Sequence, residues 1–127
     1  MFSTVGGLEA SDTYWAASPK KRALNCNGAG TAGWEGCLVP DTIWGLNINA
    51  AANIHDWDYG EGQTLTDKDA ADFRFQKNMI VLIRQAAKRS WVGWALKIPR
   101  EHRACLYFMA VIEADASIEA FMEAEIL

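Results

Sequence analysis

Two apolar stripes at helical spacing, separated by a pair of glycines, constrain this chain more than any other feature. Ile48, Ala52, His55 and Tyr59 share one face of a helix that Asn47 or Asn49 would cap. That helix is expected to run to about Tyr59 and stop at Gly60 and Gly62, which favour a chain reversal. A second helix is predicted to start after Thr66, with Asp67 and Asp69 in its first turn, where the helix dipole favours acids. Its inner stripe reads Asp72, Phe75, Met79, Leu82 or Ile83, and Ala86. A connection of about seven residues makes the two helices near-antiparallel neighbours.

Each stripe carries one residue foreign to a core. An unpaired buried charge costs several kcal/mol, so Asp72 needs a partner, and His55 is the obvious one. An aspartate on one imidazole nitrogen fixes the tautomer and leaves the other nitrogen as a general base. Asp56 projects about 100° around the helix axis from His55. It is placed to bind a hard cation beside that base. Calcium takes carboxylate and carbonyl oxygens, and the glycine-rich stretch "CNGAGTAGWEG", residues 26–36, is suited to supplying carbonyls.

The remainder of the 127 residues suits a single, mainly α domain: a loop-rich layer over 1–46 and a helical core over 47–127. Pro19, Pro40 and the glycines from Gly28 to Gly45 break the first segment, where only a short hairpin is conceivable. Tyr14, Trp15, Trp34 and Trp44 are expected to pin this layer to the helices. After "SWVGWALKIPR", broken by Gly93 and Pro99, a third helix should run from about Glu101, with Leu106, Met109, Ile112 and Ala116 as its core face. The segment "EADAS" is a candidate bend in it.

Several classes are disfavoured. Cys26, Cys37 and Cys105 form no CxxC pair, which argues against zinc; reduced thiols are the default, and a Cys26–Cys37 bridge stays open. No apolar run is long enough to span a bilayer, and the N-terminus does not read as a secretory signal. The expected setting is therefore cytoplasmic, injected or virion-associated. Charge is uneven: residues 73–103 hold eight Lys/Arg against one Glu, and residues 104–127 hold five acids and no base. That pattern suits an anionic partner or two faces that neutralise each other. Nucleic acid is disfavoured, because the net charge is −4 and no recognised binding module is present. In "KRSWVGWALKIPR", Trp91, Trp94 and Lys97 suit a membrane interface. The preferred reading instead buries both tryptophans and pairs the cations with the acidic C-terminal helix. Asp58 is expected to be solvated.

Taken together, the motifs resemble the phospholipases A2 of the secreted, bacterial and parvovirus-capsid type. The carriers are "HDWDY" at 55–59 for the family's HDxxY, the upstream "CNGAG" for its glycine-rich calcium loop, and "ADFRF" at 71–75 for the second aspartate. The likeness covers roughly Cys26 to Met79 and is nearest to the cysteine-poor forms. It implies a phospholipase A2-like fold whose two antiparallel helices carry the site, with a third C-terminal helix. His55 would be the general base, and Asp72 and Tyr59 the groups that hold it. Asp56 and the carbonyls of Cys26, Gly28 and Gly30 would bind Ca2+, and the Gly28 N–H would serve the oxyanion. The distance from Gly30 to His55 also permits a loop register through Gly33 and Gly36. The implied activity is that of a carboxylic ester hydrolase: calcium-dependent cleavage of the sn-2 acyl ester of phospholipids at a membrane surface. The alternative is a non-catalytic member of the same fold, such as a virion or mobile-element component.

Overall fold

A computed structural model describes residues 1–25, 42–62 and 64–126. The described chain is mainly helical, with two small antiparallel hairpins. No helix among the described residues is long and apolar enough to cross a membrane.

The N-terminal layer is more regular than its glycine content suggests. Strand β1 (Phe2–Val5) pairs with β2 (Leu8–Ser11), with Val5 opposite Leu8. Gly6 and Gly7 close the turn at φ 60° and 86°, the left-handed backbone that a two-residue hairpin loop requires. "VGGL" was the signal for this hairpin, and composition alone hid it. Helix α1 (Asp12–Ala16) follows directly, capped by the Ser11 hydroxyl, which accepts from the Tyr14 N–H. Helix α2 (Pro19–Asn25) starts with proline at the position where no N–H is needed. Arg22 of α2 donates to the carbonyls of Tyr14 and Trp15 at 2.8 and 2.9 Å, which satisfies the end of α1.

A second hairpin, β3 (Thr42–Ile43) with β4 (Leu46–Asn47), precedes the first long helix. Its turn places Trp44 at φ 47° and Gly45 at φ 78°. A left-handed tryptophan is strained by about 1 kcal/mol or more. The turn is held from below, where the Arg100 guanidinium donates to the Trp44 carbonyl at 2.9 Å. Trp44 itself is exposed rather than pinning the layer.

Helix α3 spans Asn49–Glu61. Asn47 caps it from one residue outside, its side-chain oxygen accepting the Asn49 N–H at 2.8 Å. The helix passes through Gly60 and ends at Gly62, whose φ of −69° makes no use of glycine's left-handed freedom. Helix α4 spans Leu65–Arg89, and its cap, Thr64, stands two residues before the expected one. Both Thr64 and Thr66 stand three residues before an aspartate, and the chain uses the earlier pair. The Thr64 hydroxyl accepts the Asp67 N–H at 3.1 Å while the Asp67 carboxylate accepts the Thr64 N–H at 3.2 Å. Only residues 62–64 therefore join α3 to α4, fewer than the spacing implied.

Ser90 ends α4 and caps the short helix α5 (Trp91–Ala95) through its hydroxyl. Helix α6 spans Lys97–Ile126 and continues through the "EADAS" segment. It begins a turn earlier than expected, because Pro99 in a first turn lacks only an N–H that would have had no helical partner. The face it buries also differs from the expected one. Ala104 and Val111 are core, with Tyr107 packed beside them, whereas Leu106, Met109 and Ile112 are exposed. Residues 104–112 are apolar almost all round, so hydropathy leaves the inward face undecided; the small Ala104 sits innermost against α4. The side chain of Ala116 lies outside the described residues.

The main core joins Ile43, Ile48 and Ala51 to Phe75, Met79, Ile83, Ala104 and Val111. The expected α4 stripe is thus buried as read. A second cluster joins Ala10 and Tyr14 of the N-terminal layer to Ile54 and Trp57 of α3. Helix α3 is consequently sandwiched, with one face on α4 and another under the hairpin.

Candidate functional site

The geometry of the α3–α4 hairpin brings His55, Tyr59 and Asp72 together. His55 and Tyr59 lie four residues apart, so both side chains leave α3 on the same side. Asp72 leaves α4 one turn before Phe75, toward the same space. His55 Nε2 lies 2.8 Å from Asp72 Oδ1, and the Tyr59 hydroxyl donates to that same oxygen at 2.5 Å. His55 is 5% exposed and Asp72 is 1% exposed, so the pair is shielded from solvent. The imidazole lies on the Phe75 ring, with centroids 4.7 Å apart and planes 29° apart. The Tyr59 ring, tilted by 47°, lies 4.3 Å from the imidazole between centroids.

The protonation pattern follows from the acceptor. An ionised carboxylate only accepts, so the Nε2 that faces it must carry the hydrogen. Nδ1 then holds the lone pair, and no described residue hydrogen-bonds to it. Packing on Phe75 and bonding to Asp72 hold the ring in one orientation. Such an imidazole can take a proton at Nδ1, with the resulting charge facing Asp72.

Asp56 leaves α3 in a different direction and is half-buried, with no hydrogen bond to a described residue. Burial pushes its carboxyl pKa up, only partly countered by the His55 charge. A cation beside it would relieve that penalty, and a hard oxygen ligand of this kind fits calcium. Among the described residues no group of three or more His, Cys, Asp or Glu is gathered as a metal cluster. The remaining calcium ligands implied by the resemblance, the carbonyls of Cys26, Gly28 and Gly30, lie outside the described residues, as do Gly33, Trp34, Gly36 and Cys37.

Asp58 was expected in solvent, but it is buried at 7% exposure and paired with Arg74, Nη1 to Oδ2 at 2.8 Å. Desolvation raises its pKa, and Arg74 opposes that. The same guanidinium reaches Glu9 at 3.2 Å and lies 3.7 Å over the Phe2 ring. Asn78, fully buried, accepts the Glu9 N–H and donates to the Glu9 carbonyl, both at 2.9 Å. It supplies to β2 the two bonds that a neighbouring strand would have given. One turn further along α3, its last residue Glu61 accepts from Ser11 at 3.0 Å, from Thr13 at 2.6 Å and from the Trp57 indole N–H. These contacts lock the N-terminal layer over the helix that bears His55. Sequence reasoning missed them because it followed one stripe on α3. Ile54, Trp57, Asp58 and Glu61, at spacings of three and four, form a second.

Trp91 and Trp94 correct the preferred reading: they are 78% and 72% exposed. Lys97 is half-buried near them.

Comparison with protein-family models, with curated proteins and with solved structures yields no match to this chain.

Proposed function

We propose that this protein is a phospholipase A2-like carboxylic ester hydrolase that cleaves the sn-2 acyl ester of phospholipids with the help of calcium. The observation that carries the reading is the shared Asp72 oxygen, which accepts from Tyr59 and from His55 Nε2 and leaves Nδ1 as the base.

His55 Nδ1 takes a proton from water as that water attacks the ester carbonyl. Asp72 steadies the imidazolium, and Tyr59 keeps the carboxylate hydrogen-bonded so that it remains an acceptor. Collapse of the tetrahedral species breaks the bond between the acyl carbon and the glycerol oxygen. The departing alkoxide recovers the proton from His55, so fatty acid and lysophospholipid leave with the base restored. Calcium, when bound by Asp56 and loop carbonyls of Cys26, Gly28 and Gly30, supplies positive charge to polarise the ester and stabilise the oxyanion. The Gly28 N–H is the family's counterpart for the same oxyanion.

The test is fatty-acid release from phospholipid vesicles with and without a calcium chelator. Release should require calcium, and His55→Asn should reduce it on the order of a thousandfold while the fold is retained. A folded wild-type protein that releases no fatty acid in calcium would remove the catalytic reading and leave the non-catalytic member of the same fold.

A further inference from the structure

We propose that α5 and the first turn of α6 form a docking surface for anionic lipid bilayers, built separately from the hydrolytic site. The local geometry dictates what α5 displays. Gly93 faces inward, where an added Cβ would lie 2.1 Å from the Ala86 carbonyl oxygen. The short helix therefore lies flat on the last turn of α4, closer than any side chain would permit. Its neighbours are turned outward as a consequence. Trp91, Val92 and Trp94 are exposed, and Ile98 from α6 joins them at 78% exposure.

Charge identifies the occupant. From Gln85 to Arg100 the chain contains no acid, while Lys88 and Arg89 are exposed beside the tryptophans and Lys97 follows. Indole rings settle at the boundary between headgroups and acyl chains, and flanking lysines and arginines seek anionic headgroups. The area also decides. Two tryptophans, a valine and an isoleucine offer roughly 500 Å². A stable protein interface needs about 800 Å² on each partner. A bilayer accepts any number of anchoring side chains, so a small patch suffices.

The surface goes beyond the hydrolytic reading and needs no step of it. Asp72 and Arg89 are separated along α4 by about 25 Å of helix rise. Docking and ester cleavage can therefore fail independently.

Sedimentation with sucrose-loaded vesicles in chelator tests the proposal while calcium-dependent hydrolysis is silent. One set contains phosphatidylglycerol and phosphatidylcholine, and the other phosphatidylcholine alone. The wild type should pellet with the anionic vesicles and much less with the neutral ones. Trp91→Ala with Trp94→Ala should weaken partitioning on the order of tenfold or more, with unchanged circular dichroism. Lys88→Gln with Arg89→Gln should erase the preference for anionic lipid. Absence of pelleting by the wild type, or equal pelleting by the tryptophan variant, would overturn the proposal. So would a wild-type dimer that the tryptophan variant converts to monomer, since the patch would then face protein. Cleavage of a dispersed short-chain phospholipid, measured in calcium, reports separately on the hydrolytic reading and should be unaltered by these substitutions.

Discussion

At the residue scale, Glu9 shows how the fold uses charge outside the site. Its backbone is clasped by Asn78 and its carboxylate meets Lys77 at 2.8 Å and Arg74 at 3.2 Å. The hydrogen bond from Lys77, with further help from Arg74, holds its pKa below the usual glutamate range against the opposing effect of burial. A depressed native pKa stabilises the fold above the ordinary glutamate pKa, and that contribution disappears as pH falls through the native value. Glu9→Gln should therefore lower the urea midpoint at neutral pH, and the gap to the wild type should shrink as the pH is lowered through the carboxylate range. A gap that widens on acidification would contradict this account. His55 and Asp72 were legible as single residues because each interrupts an apolar stripe. Asp58 was not, because its partner Arg74 stands sixteen residues away on another helix and no local pattern joins them.

At the element scale, α4 is the organising helix, and its ends are set by different chemistry. The start is a reciprocal hydrogen-bonded cap, visible in the sequence but ambiguous between two threonines. The finish is an approach of backbone to backbone at Gly93. Gly93→Ala would force a methyl group into the Ala86 carbonyl. The expected cost is about 1–3 kcal/mol. Calorimetry should show a fall in Tm of several degrees, without loss of helix content, if α5 lifts from α4. The stripe on α4 was readable because polar residues bracket it, as Lys77 and Arg84 do. The stripe on α6 was not, since apolar side chains surround that helix around 104–112 and shape decides the inward face. The β1–β2 hairpin was obscured for a third reason: each strand is only four residues long and neither alternates strongly, so the Gly-Gly pair is the one local mark of the reversal.

At the scale of the whole molecule, the described chain is a helical hairpin with a layer on each side. The N-terminal hairpin is fastened to α3 and α4 by Asp58, Arg74, Glu9 and Asn78, and α6 closes the opposite face of α4. Asp58→Ala would leave the buried guanidinium with Glu9 as its remaining carboxylate among the described residues, at a cost of about 1–3 kcal/mol. Asp58→Ala combined with Arg74→Met should recover much of that loss, as read from denaturant midpoints of both variants. Equal and additive losses would show that the ion pair does not couple the layer to α3. A mainly helical architecture and the convergence of two stripes were legible from residues 47–89 alone. The attachment of the N-terminal layer was not, because it depends on pairs far apart in sequence, such as Glu9 with Asn78 and Gly6 with Gln85.

One oxygen of Asp72 serves two donors, and that sharing has a spectroscopic consequence. A lone pair drawn toward the phenol is less available to the ring N–H, so the two bonds strengthen and weaken in opposition. Tyr59→Phe should shorten the remaining imidazole contact and move its proton resonance further downfield, making that one nucleus a gauge of how tightly the carboxylate grips the ring.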